Sequence, residues 1–176
     1  FSGKSDPLDA EAAAPAALSR VRTGIPKDRT GKVEALRNLR VARRSAVDQR
    51  GDCMRRIKTL LVTAPDELRD RLRRLPDREL LRVCASLRPH TTRVGEPSQA
   101  AKIPVRSLAP RHAPLSEEIT ELDAMIEPLV ATINPALLAL NGVGADVAGQ
   151  LLVTAGENTD RLHSEAAFAM LCGVAP

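Results

Sequence analysis

Leu115, Ile119, Leu122, Ile126, Leu129 and Ile133 recur at alternating spacings of four and three residues, and nothing else in the chain constrains its fold as strongly. That spacing draws one apolar stripe along a helix. Such a stripe needs a partner, because aliphatic side chains left in water forfeit the burial that would stabilise the helix. Segment 30–63 offers one. Val33, Leu36, Val47, Met54, Ile57 and Leu61 fall on the a and d positions of a single heptad frame.

Charge supports the match. Lys27 to Lys58 holds eleven basic and four acidic residues, whereas Leu115 to Pro176 holds nine acidic residues and one basic residue, Arg161. The acidic helix is therefore expected to lie against the basic one, within one chain or between two. Arg40, Arg43 and Arg50 stand in the basic helix's own seam. Three arginines there weaken a self-contained coiled coil. They suit a partly exposed helix that offers guanidinium groups to carboxylates or to phosphates.

No segment alternates with the period of two that a half-buried strand requires. The chain has no Trp or Tyr and only two Phe, so Leu, Ala, Val and Ile must form the core. Ala and Leu favour helices. The expected fold is all-α: a long coiled-coil-like helix pair followed by a C-terminal helix-hairpin-helix.

Local signals complete the reading. Residues 6–19 form an Ala-rich helix with Asp6 as N-cap and Pro7 at its first position, and Pro15 is expected to kink or end it. A linker carries Gly24 and Pro26. Short helices follow Pro65 and Pro76, and 88–98 is a polar loop. Pro104, Pro110 and Pro114 are expected to interrupt any helix before the acidic one, which Ser116 with Glu117 and Glu118 would start. Pro128 should bend that helix. Asn134 caps and Pro135 opens the next, Gly142 and Gly144 make a tight hairpin, and a last helix begins at Ser164. The expected divisions are 1–22, 27–133 and 134–176.

Few residues point to chemistry. Asp6 and Asp9 share a helical face, which fits either cap-and-dipole compensation or a divalent cation. Arg37, Arg40, Arg43, Arg44 and Arg50 fit either a solvated face with acidic partners or a sequence-independent nucleic-acid contact. Gly142-Val143-Gly144 fits either a plain helix–helix turn or a hairpin whose backbone N–H groups face a phosphate. No basic residue is close to that hairpin in sequence. Cys53, Cys84 and Cys172 lack metal or disulfide spacing and read as reduced cytosolic thiols. His90, His112 and His163 are isolated. No apolar run is long enough to span a bilayer. The chain opens on Phe1 and closes on GVAP, so both ends are expected to continue in a longer protein.

Taken in order, KSDPLDAEAAA, RTGKVEALRNLRVARRSAVDQR, IKTLLVTAPDELRDRLRRL, CASLRP and LLALNGVGADVAGQLLVTAGENTDRLHSEAAFAMLCGVAP resemble the insertion-sequence 110 family of DEDD-type transposases, relatives of the pilin-gene inverting recombinases. The resemblance covers nearly the whole chain. It implies a RuvC-like domain with four acidic metal ligands, then a coiled-coil region, then a C-terminal domain that supplies a nucleophilic serine. Lys4, Ser5, Asp6, Asp9 and Ala10 match the motif of the last two acids, which makes Asp6 and Asp9 catalytic magnesium ligands of the intact enzyme. The family's serine follows GVAP, so Ser164 is not that nucleophile. The resemblance also implies DNA and a structured guide RNA as partners and a homo-oligomer formed through the helical region. With two of four acids and no serine, these residues alone are expected to hold no metal and catalyse nothing. Pro15, Pro104, Pro110 and Gly51-Asp52-Cys53 depart from the family pattern, as in a decaying gene copy. The rival expectation is a structural coiled-coil protein.

Overall fold

The chain, seen in a computed structural model that describes residues 6–19 and 26–174, is helical with no strand among those residues. Its helices are α1 (Asp6–Ser19), α2 (Gly31–Val62), α3 (Asp66–Leu72), α4 (Asp77–Ser86), α5 (Pro97–Ala100), α6 (Lys102–Leu108), α7 (His112–Ile133), α8 (Pro135–Leu138), α9 (Ala145–Ala155) and α10 (Glu165–Leu171). No helix among the described residues is long and apolar enough to cross a membrane. Two compact units result, one of residues 35–149 and one formed by the described residues on either side.

Within the 35–149 unit, the two long helices α2 and α7 pack together, tied by Arg43 to Asp123 and by Arg50 to Ser116. On α7 the buried positions are Ile119, Leu122, Ile126 and Val130. The last of these differs from the expected Leu129, which is only half-buried. A straight helix turns every 3.6 residues, so a strict heptad stripe drifts by about 20° per heptad. By the fourth position, the next residue faces inward.

On α2, Ala46 and Cys53 are buried beside the a and d seam, and Leu39 and Leu60 are half-buried in the same column. That widens the buried face beyond a two-stranded seam. The C-terminal half of α2 enters an aliphatic core in which Ile57, Leu61, Leu68, Leu72, Leu80, Cys84 and Val105 are buried, drawn from α2, α3, α4 and α6. Burial pushes the Cys84 thiol up to about 11, which keeps it protonated and unreactive at neutral pH.

The prolines do less damage than expected. Pro104 and Pro114 each occupy the third residue of their helices, where a missing N–H forfeits no intrahelical bond. Pro110 sits in a single 3-10 turn, Ala109–Arg111. As a result α7 starts at His112, four residues before the expected cap. Ser116 instead lies inside the helix, its hydroxyl donating to the His112 carbonyl at 2.9 Å. α1 continues through Pro15 and α7 through Pro128, since neighbouring turns keep their own hydrogen bonds. Gly51-Asp52-Cys53 also lies within unbroken α2. The expected polar loop at 88–98 contains a 3-10 turn, Thr91–Arg93, and the start of α5.

In the other unit, Glu157 caps the first turn of α2. Its Oε2 accepts from Val33 N at 2.8 Å, and Gly31, at φ 69°, leaves the room its carboxylate needs. Asn158 accepts from Asp28 N at 3.1 Å and donates to the Pro26 carbonyl at 2.9 Å, while Lys27 Nζ donates to the Val153 carbonyl at 2.9 Å. At the far end of α9, Arg161 donates to the Ala155 carbonyl at 2.9 Å, a cation on a helix C-terminus. The last helix starts within one residue of the expected Ser164, which serves as the N-cap of α10 and accepts from Ala167 N at 3.1 Å.

Candidate nucleic-acid interface

The five arginines singled out on α2 have separate fates. Arg40 donates to the Asp146 carboxylate at 2.7 Å and to the Asp146 carbonyl, with its side chain 13% exposed. Gly149, buried and without a side chain, lets the Arg40 stem lie close; a Cβ there would come within 3.1 Å of Arg40 Cδ. Arg43 forks onto both oxygens of Asp123 and also reaches Asp146 at 3.4 Å. The Asp123 hydrogen bond, working against burial, raises the Arg43 pKa above its ordinary value.

Among the described residues Arg50 reaches only the Ser116 hydroxyl, at 3.4 Å. Arg37 bonds Asn38 at 2.9 Å. Arg44 is exposed and has no hydrogen-bond or ion-pair partner among the described residues. Further along α2, Arg55 and Arg56 both pair with Asp52, and the Arg56 bond holds that carboxyl below its usual range.

The glycine turn lies between the single-turn helix α8 and α9. Asn134 accepts from Ala136 N at 3.1 Å and Pro135 opens α8, as expected. Gly142 has φ 81°, in the left-handed region, whereas Gly144 does not. A Cβ at either position would meet open space, so neither glycine is required for close packing. The structure brings Arg40 and Arg43 to Asp146, at the start of α9. Basic groups therefore stand beside the hairpin in space although none does in sequence. The acidic partner was visible in the sequence, but its cations lie over a hundred residues away.

For metal ligands, α1 carries Asp6 and Asp9, but their side chains lie outside the described residues, as do Lys4 and Ser5. Among the described residues no group of three or more His, Cys, Asp or Glu could hold a metal ion. No family model, curated protein or solved structure matches the chain.

Proposed function

We propose that this chain is a helical portion of an insertion-sequence 110-like transposase and that it contacts DNA or structured guide RNA through the phosphate backbone. The family assignment rests on the sequence resemblance alone. The observation that carries the contact is the surplus of free guanidinium on the 35–149 unit. Between Arg44 and Arg111 the chain has sixteen basic and eight acidic residues. Arg44, Arg71, Arg73, Arg74, Arg78 and Arg88 are all exposed and lack any partner among the described residues. Arg40 and Arg43 serve a different purpose in this reading, holding α7 and α9 to α2.

On the same reading, Asp6 and Asp9 ligate magnesium in the intact cytoplasmic enzyme and this chain alone does not cleave DNA. The α8–α9 turn acts as a helix-hairpin-helix through Gly142, and the long helices mediate self-association. A structural scaffold is the second reading, favoured by the internal neutralisation of Arg40 and Arg43.

Fluorescence anisotropy with labelled duplex DNA and structured RNA separates the two. Nucleic-acid contact predicts binding that weakens steeply between about 50 and about 200 mM salt. The triple variant R44E/R73E/R74E should lower both affinity and salt slope. A folded chain that binds neither probe at low salt is a scaffold.

A further inference from the structure

One groove in the 35–149 unit gathers guanidinium groups that no internal acid neutralises well. It has a volume of about 520 Å³ and is lined by Arg50 from α2, Arg78 and Arg82 from α4, and His112 at the start of α7. Among the described residues Arg50 has only its 3.4 Å contact with Ser116. Arg78 has no partner among the described residues, and Arg82 has only Glu79 on its own helix, at 3.4 Å. The one carboxylate in the lining, Asp77, is held by Lys58 at 2.7 Å. Like charges around one opening repel one another, and an anion between them relieves the repulsion. The remaining wall is apolar, with Met54, Leu81 and Pro110. A cavity of this size with a few convergent cations and an apolar wall suits a small organic anion better than a bare ion.

We infer that this groove is a nucleotide site, with a phosphate among Arg50, Arg78 and Arg82 and the attached nucleoside on the Met54–Leu81–Pro110 wall. Guanidinium groups match phosphate oxygens in paired hydrogen bonds. The choice of a nucleotide over other organic phosphates rests on the nucleic-acid reading above; the preference for an anion does not. The phosphate can belong to a strand or to a free mononucleotide, which present the same groups. His112 supplies a reporter. Burial, then the charge of Arg50, hold its imidazole below its ordinary value while Asp77 opposes them. A phosphate bound beside it raises that value.

The test follows the His112 ring by NMR in the full chain, assigned with H112Q, during titration with adenosine monophosphate, inorganic phosphate or a short single-stranded oligonucleotide. A saturable His112 shift is expected with the mononucleotide, the oligonucleotide or both, and the responding probe identifies the source. R78E/R82E, which alters two exposed side chains and can be checked for helix content, should weaken binding by about tenfold or more. R29E, at an exposed arginine outside both the groove and the proposed nucleic-acid contact, should leave it unchanged. Inorganic phosphate binding as tightly as the mononucleotide overturns the nucleotide assignment. So does the lack of any saturable shift, or equal weakening by R29E and R78E/R82E. In those cases persistent salt-sensitive strand binding leaves the nucleic-acid reading intact. Conversely, a mononucleotide shift without strand binding keeps the groove and removes that reading.

Discussion

Helix α2 is held in two ways within one unit, by ion pairs near its middle and by hydrocarbon toward its C-terminus. Around Arg40 and Arg43 the contacts are guanidinium forks onto Asp123 and Asp146. From Ile57 onward they are mainly aliphatic, apart from the exposed pair of Lys58 with Asp77, and Ile57, Leu72 and Cys84 are fully enclosed. The two regions divide the work of specifying the fold. Hydrocarbon contacts supply most of the free energy but tolerate many arrangements of similar volume. A fork between Arg43 and Asp123 has one good geometry and so fixes the register of α7 on α2. Its net energy is small, because the Asp123 side chain is 45% exposed and solvent screens it.

The largest test of this division is Leu72→Ala. Leu72 is completely buried in the aliphatic core, so its truncation should cost about 2–5 kcal/mol in urea unfolding. A loss below 1 kcal/mol, on the same scale as an exposed ion pair, would erase the contrast. Next is Glu157→Ala, which removes the carboxylate from the first turn of α2 and should cost about 1 kcal/mol. Amide hydrogen exchange at Val33 should rise with it; unchanged protection there would mean that the cap does not hold the helix end. Smaller again is the coupling in a double-mutant cycle of Arg43→Ala and Asp123→Ala, about 0.5–1 kcal/mol. That coupling should shrink in about 1 M salt, where charges more than a few ångströms apart are screened. The Leu72→Ala penalty should not. If both respond alike to salt, the distinction between the regions fails.

Most of this architecture was legible wherever the signal was local. The extent of α2, the partnership with α7, the cap at Asn134 and the helix start near Ser164 follow from periodicity and capping chemistry within a few residues. The start of α7 did not, because Pro114 reads as a breaker unless it is known to fall in a first turn. Glu157 reads as a stray acid in a loop, and only folding brings it to Val33, 124 positions away. The arginines were visible as a basic stretch, but not their sorting into those bound by Asp123 and Asp146 and those left exposed. That sorting depends on which helix face meets which carboxylate. The groove at Arg50 was hidden for the same reason, since Arg78, Arg82 and His112 come from two further helices.

His112 carries the smallest prediction, and it probes the groove between the two regions. Burial and Arg50 lower its pKa below the ordinary 6.5, with Asp77 partly offsetting them. In the unfolded chain the imidazole keeps its ordinary affinity for protons. Between the lowered folded value and about 6.5 the unfolded state therefore binds more protons, so stability rises with pH through that window. Above the window neither state is protonated and the contribution is complete; as pH falls through the folded value it is lost. His112→Gln removes the titration and should flatten the slope, so the stability difference between the parent chain and the variant should be larger at pH 8 than at pH 5. A difference that stays constant across that range in urea unfolding would mean that Arg50 and burial do not act on His112. The crowding of cations in the groove would then have to be relieved by solvent.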